Sequence, residues 1–356
     1  FVSVIIKRLM KGLETFEPDA ELRYKHIMEN MIYTAELQSK NVFLYMYAFD
    51  PEDRYALNVF NGSYLSEEFD RHMKFWGVEK FDVIVMNPPY QEQKEGNTKT
   101  KTLWDKFVTK TISQLIDGGY LVAVHPDSWR GINNMFKNIN ILLRSKQLLY
   151  LEMHSTADGY KTFGANTTYD FYCLHNVPNT MFTKTKTYNG NIERIDLSKL
   201  EFIPNVNIEF VSSLIAKKGE ESIKLIADSS YHTQRTEQMS KEQTEEFKYP
   251  CVYTVGALNV GFWYSNIKKD EKHFVPKVIW GNGLSDVIVD EKGEYGLTQF
   301  AYAIVDEPQN LPFIQKALKS EKFKKDVMGY TKGVGHIYNR KVIATFRKDF
   351  WKEFLY

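Results

Sequence analysis

The stretch Phe81-Asp82-Val83-Ile84-Val85-Met86-Asn87-Pro88-Pro89-Tyr90 decides how this chain is read. The run up to Met86 predicts a buried strand, and the tetrapeptide after it stands at the carboxyl end, where open α/β sheets bind ligands. Two successive prolines fix φ and remove two backbone donors, so the turn is stiff and rich in acceptors. The Asn87 side-chain oxygen and the Pro88 carbonyl can both accept from one amino group, and Tyr90 can stack on the flat ring that carries it. Pro-Pro by itself is also compatible with a plain rigid turn, and the strand before it favours a site.

Working outward, strand and helix patterns alternate. The chain opens at Phe1 on a helical spacing of Val2, Ile5, Ile6, Leu9 and Leu13, and reads as entered partway. A short strand over 31–35 ends at Glu36, a helix runs through Val42 to Met46, and a strand over 55–60 ends at Asn61-Gly62-Ser63. A helix over 67–76 leads to the strand quoted above. A helix over 103–116, closed by Asp117-Gly118-Gly119, precedes the strand 120–125, and a further helix covers 135–143. Two strands, 148–153 and 167–174, then follow with only a loop between them. This order predicts an α/β fold, a parallel sheet finished by an antiparallel hairpin.

The remaining sequence changes character. A polar stretch with Lys-Thr alternation at 184–187 and a charged, Gln-rich stretch over 217–248 predict a connecting region over 179–248, and short strand-like runs return over 249–356 as a second, mixed α/β unit. At 356 residues the chain has room for two domains. The net charge of +1 says little, but residues 316–352 hold eleven Lys and Arg against Glu321, Asp326 and Asp349, a segment suited to tracking phosphates. Cys173 and Cys251 are too few for a disulfide framework and lack metal-ligand spacing, so neither a disulfide nor a structural zinc is expected. No apolar run approaches the roughly 20 residues that cross a bilayer, and no signal peptide opens the chain, so a soluble, cytoplasmic protein is expected.

The turn at 87–90 resembles the Asn-Pro-Pro-Tyr motif of the S-adenosylmethionine-dependent amino-methyltransferases, and residues 1–178 resemble the DNA adenine-N6 methyltransferases of restriction-modification systems. The resemblance implies a Rossmann-like methyltransferase sheet and S-adenosylmethionine as cofactor. It assigns Glu36 to the ribose hydroxyls, Leu37 to the adenine face, Ser63 and Tyr64 to the end of the third strand, and Phe107 to the cofactor site, although Phe107 is equally suited to a core. Ser63 departs from the acid usual at its position. The larger departure is the missing glycine-rich turn after a first strand: Phe1 matches the residue that closes it, which implies that the first strand lies upstream. A permuted order using Gly281-Asn282-Gly283 or Gly333-Val334-Gly335 is disfavoured, because neither leads to the expected acidic strand.

Asn87, Pro88, Pro89 and Tyr90 carry catalysis in this reading, with Phe163 as a second aromatic for a base flipped out of double-stranded DNA, unless Phe163 is simply core. The loop 91–102, with Lys94, Lys99 and Lys101, either closes over that nucleotide or is solvated. His125 reads as a strand end rather than an acid-base group. Pro276 to Trp280 and Tyr295 to Thr298 resemble target-recognition domains, and a restriction endonuclease domain or subunit is an implied partner. Three other readings stay open: a protein-glutamine methyltransferase, which the long C-terminal half disfavours; an RNA adenine methyltransferase, for which no RNA-reading signature is evident; and a non-catalytic DNA-binding subunit, which the absent glycine turn and Ser63 favour and the intact catalytic turn disfavours. An endonuclease centre in this chain is poorly supported, since neither Pro18-Asp19 nor Val78-Glu79-Lys80 completes a motif.

Overall fold

A computed structural model describes residues 1–92, 101–132, 135–268, 271–281, 286–327 and 340–355. The fold is mixed α/β, as the alternation predicted. The chain forms two compact units, one of Phe1–His125, Asn138–Leu149 and Phe171–Thr180, the other of Pro126–Lys137, Tyr150–Asp170 and Met181–Tyr356. This differs from a boundary near 178, because two earlier stretches bond to later residues. Ile203 donates its backbone N–H to the Arg130 carbonyl at 2.9 Å, and Tyr150–Glu152 pair in parallel with Lys184–Lys186.

In the first unit, α1 (Val2–Gly12) packs Ile6 and its neighbours against Ile27 and Met28 of α2 (Ala20–Asn30). The Asp19 carboxylate starts α2 by accepting from the N–H groups of Glu21 and Leu22, both at 2.9 Å. Strands β1 (Tyr33–Glu36) and β2 (Asn58–Asn61) flank α3 (Ser39–Phe49) and pair in parallel from Tyr33 opposite Asn58 to Glu36 opposite Asn61, so both end at one level. Helix α4 (Glu67–Phe75) is capped by the Ser66 hydroxyl, with acids in its first turn and His72 and Lys74 in its last, as the helix dipole favours. Along the chain follow strand β3 (Phe81–Met86), α5 (Trp104–Ser113), β4 (Leu115–Pro126), α6 (Lys137–Ser145), β5 (Lys146–His154), α7 (Thr156–Phe163) and β6 (Tyr169–Pro178), of which α7 belongs to the second unit. β3 pairs in parallel with β4.

Three expectations are corrected here. β3 is not buried: Asp82 and Val83 are exposed, because among the described residues β3 pairs with β4 alone and is an edge, while β1 and β2 form a sheet of their own. The Asp117-Gly118-Gly119 run does not close a helix. It lies inside β4 as an irregularity, the pairing jumping from Phe81 opposite Leu115 to Val83 opposite Tyr120, with Gly118 at φ +79°. A Cβ on Gly119 would meet the Asp82 carbonyl oxygen at 2.9 Å, so the close approach of β3 excludes larger residues there. Between β5 and β6 stands a helix, α7, rather than a loop. Ser155 and Asp158 form a capping box and Gly164, at φ +67°, ends the helix.

The expected connecting region is ordered structure in the second unit. In β7 (Thr183–Lys186), Thr183 and Thr185 are buried while Lys184 points outward, so the Lys-Thr alternation is a strand period of two; β7 pairs antiparallel with β8 (Ile192–Ile195). Beyond it lie two four-stranded sheets. One joins Met239–Ser240, Val260–Ser265, Tyr249–Val255 and Gly296–Leu297. The other joins Val287–Asp290, Lys277–Gly281, Ala301–Val305 and Lys224–Ile226. The helix Leu311–Lys319 covers the second sheet through a core that includes Trp280, Ile304, Ile314, Phe323 and Phe346. Lys277, fully buried, is ion-paired with Asp290.

Much of the basic charge over 316–352 is offset by carboxylates: Lys319 pairs with Asp286, Lys324 with Glu321, Lys348 with Glu221, and Arg347 and Lys352 with Asp349. Cys173 and Cys251 are free thiols. Among the described residues, no helix is long and apolar enough to cross a membrane.

Candidate active site

The carboxyl ends of β1 and β2 are fastened to each other. The Asn61 side chain donates to the Glu36 carbonyl at 3.1 Å and to the Leu37 carbonyl at 3.3 Å, and accepts from the Ser39 hydroxyl at 2.8 Å. Gly62 adds its N–H to the Glu36 carbonyl at 3.0 Å. The Glu36 carboxylate is thus presented from a fixed strand end, one oxygen accepting from the Gln38 N–H at 2.8 Å.

A cavity of about 540 Å³ opens beside it, lined along its length by β1 and by Val83–Met86 of β3. At the strand ends the lining takes in Glu36, Leu37, Ser63 and Tyr64 from one side, Asn87, Pro88 and Pro89 from the other, and Phe107 of α5. Eight of the ten site residues read from the sequence therefore share one cavity, and Phe1 lines it too. Among the described residues no group of three or more His, Cys, Asp or Glu could hold a metal ion.

The turn itself is built as its composition dictates. Pro88 is buried and Asn87 exposed, and both line the cavity. The half-buried Tyr90 is not part of the lining; its carbonyl accepts the Leu103 N–H at 3.2 Å, and an antiparallel bridge joins Gln91 to Thr102. Lys94 and Lys99 of the expected loop fall in residues 93–100, which lie outside the described ones. Leu37 is exposed. The Ser63 carbonyl accepts from the Ser66 hydroxyl at 2.7 Å, which ties the end of β2 to the start of α4.

Tyr64 is held by both its ring and its hydroxyl. Its ring stacks on Phe107 at 5.4 Å with a 19° interplanar angle, and its hydroxyl meets Gln114 Oε1 at 2.6 Å and Thr111 Oγ1 at 3.1 Å. Burial pushes its phenol up to about 12. Gln114 and Thr111 were not read as site residues. The available signal was two polar residues, three apart, on the same face of α5 as the apolar Phe107 and Val108.

Phe163 lies in the second unit, outside this lining. It is 40% exposed at the end of α7, its ring in a T-shaped arrangement with Tyr169 at 4.9 Å, and Tyr169 stacks on His154 at 4.3 Å. His125 is fully buried, stacked on Trp104 at 4.5 Å, with Nε2 3.0 Å from the Tyr172 hydroxyl, the setting of a core residue.

Strand ends of two sheets thus bring Asn87, Pro88 and Pro89 and the acidic Glu36 to one cavity of the first unit. Residues 8–163 match the model of the Eco57I restriction-modification methylase family, so the resemblance read from the sequence is borne out over this stretch. Over 102 residues the chain is 32% identical to a Mycoplasma pneumoniae protein described as an uncharacterized adenine-specific methylase, a match covering 27% of this chain and 23% of that one. The structural matches include the M protein of the type I restriction enzyme EcoKI (14% identity, TM-score 0.39, 51% of this chain and 39% of that one). Another is the type IIL restriction-modification enzyme MmeI in complex with DNA (11% identity, TM-score 0.42, 83% of this chain and 50% of that one). The match thus spans under a quarter of the Mycoplasma protein's length and half or less of each of these structures.

Proposed function

We propose that this chain is the catalytic and recognition part of a site-specific DNA methyltransferase that transfers a methyl group from S-adenosylmethionine to the N6 amino group of adenine, within a restriction-modification system. The observation that carries this reading is the sharing of one cavity by Asn87-Pro88 and Glu36. The cavity has the size of ordinary small-molecule sites, and the donor set suits the cofactor. Glu36 would take the ribose hydroxyls, Leu37 and the Tyr64–Phe107 wall the adenine, and Ser63 offers a hydroxyl in place of a carboxylate. When bound, the cofactor supplies an electrophilic methyl group.

The chain's own part in the reaction is positioning. The Asn87 side-chain oxygen and the Pro88 carbonyl accept the two hydrogens of the adenine amino group, which directs its lone pair to the donor; no general base or covalent nucleophile is required. An adenine in duplex DNA must leave the stack to be reached, and Tyr90 takes one face of it while Phe163 is assigned to the other. Residues 1–178 carry the chemistry in this reading, and 249–356 read the DNA target, preceded by the ordered stretch 179–248. Double-stranded DNA is the substrate, an endonuclease domain or subunit the partner, and the cytoplasm the location.

The test is transfer of labelled methyl from S-adenosylmethionine by the natural full-length polypeptide to DNA, RNA and protein, followed by nucleoside and residue analysis. N6-methyladenine in DNA is expected. Label on a glutamine side chain would move the assignment to protein methylation, and cofactor-free, inactive protein that still binds DNA to a non-catalytic subunit.

A further inference from the structure

We propose that Gln114 is a positioning residue for cofactor binding, acting through Tyr64. The inference rests on the cofactor reading of the cavity. Gln114 is not part of the cavity lining, whereas Tyr64 is.

The hydrogen-bond directions around Gln114 follow from its partners. The Asp70 carboxylate is ion-paired with Lys110 at 2.7 Å and only accepts, so the Gln114 amide nitrogen faces it, at 3.0 Å. The amide oxygen is then turned to Tyr64 and the phenol must donate, at 2.6 Å. Lys110 closes the chain by donating to the Ser66 carbonyl at 3.1 Å, and its ammonium lies 5.4 Å from the centroids of both the Tyr64 and Phe69 rings. Tyr64 is thereby tied to α4 and α5 together and held parallel to Phe107 before any ligand arrives.

A wall ordered in advance spares binding the cost of ordering it. That matters more here because the residue ahead of it, Ser63, provides a hydroxyl where a carboxylate would bind more strongly. The rigidity of the aromatic wall takes over part of the missing carboxylate's role.

The experiment is titration of the full-length polypeptide with S-adenosylhomocysteine by calorimetry, without DNA, for wild type, Gln114→Leu, Tyr64→Phe and the double variant, with thermal unfolding of each. Each single change is expected to weaken binding about three- to tenfold, the size expected when one side chain must be ordered on binding. The double variant is expected to bind no worse than the weaker single, since both remove the same contact. Gln114→Glu keeps an oxygen for Tyr64 but sets it against Asp70, so it is expected to lose stability while binding within about twofold of wild type. Unchanged affinity in Gln114→Leu, additive losses in the double variant, or Gln114→Glu binding as poorly as Gln114→Leu would each overturn the proposal and leave the methyltransferase reading intact. A wild-type chain that does not bind at all overturns both.

Discussion

The Asn61 side chain donates to the Glu36 carbonyl across the ends of two parallel strands, at 3.1 Å. One amide thus fixes where the acidic strand end sits beside the cavity. Asn61→Ala removes this bond together with those to Leu37 and Ser39. Each net hydrogen bond is worth about 0.5–1.5 kcal/mol, so a modest fall in Tm is expected with a several-fold loss of S-adenosylhomocysteine affinity. Calorimetric titration and a thermal scan check both.

Tyr64 gives a pH signature. Its phenol is pushed up to about 12 by burial, from 10.0. Between those values the unfolded chain releases a proton that the folded chain keeps, so stability falls as the pH rises from 10 to 12, by about 1.4 kcal/mol per unit. Tyr64→Phe is expected to flatten that decline and to remove one late-ionising phenol from the ultraviolet titration of the wild type.

The second unit depends on a buried charge pair. Lys277 and Asp290 are both inaccessible, burial holds the Lys277 ammonium below its usual value, and Asp290 also accepts the backbone N–H groups of Glu294 and Tyr295. Asp290→Ala leaves a buried cation without its partner, and a loss of about 3–5 kcal/mol is expected in chemical denaturation. Lys277→Met in that background is expected to recover part of it, since the uncompensated charge is then gone.

Helix α7 tolerates no side chain at Gly159, where a Cβ would lie 1.9 Å from the Thr167 carbonyl oxygen. Gly159→Ala must displace the helix that carries Phe163, and destabilisation with lost DNA methylation is expected. Phe163→Ala, which removes only the ring, is expected to slow methylation of duplex DNA while cofactor affinity stays at the wild-type level. Equal loss of both would remove Phe163 from the base-holding role.

The strand ends and the turn were legible because their signals are local: an apolar run, then Asn87-Pro88-Pro89-Tyr90, and Glu36 at the end of another short run. β7 was misread because a strand with Thr inward and Lys outward has the composition of a linker, although its period is two. α7 was missed because its evidence lies in its caps, Ser155, Asp158 and Gly164, rather than in apolar spacing. The Gln114 contact to Tyr64 joins residues 50 apart in sequence, and only the packing of α5 against the end of β2 brings them together. The exposure of β3 could not be foreseen from its own residues, since it depends on which strands pair beside it.

The central claim is that the turn after β3 holds the amino group. The most direct measurement is the single-turnover rate of N6-methyladenine formation in duplex DNA by wild type and Asn87→Ala, with S-adenosylhomocysteine affinity and Tm measured on the same samples. A fall of at least about a hundredfold in rate, the usual scale for removing a preorganised hydrogen-bonding group, with affinity and Tm unchanged, is the expected result. A wild-type rate in Asn87→Ala would contradict the account.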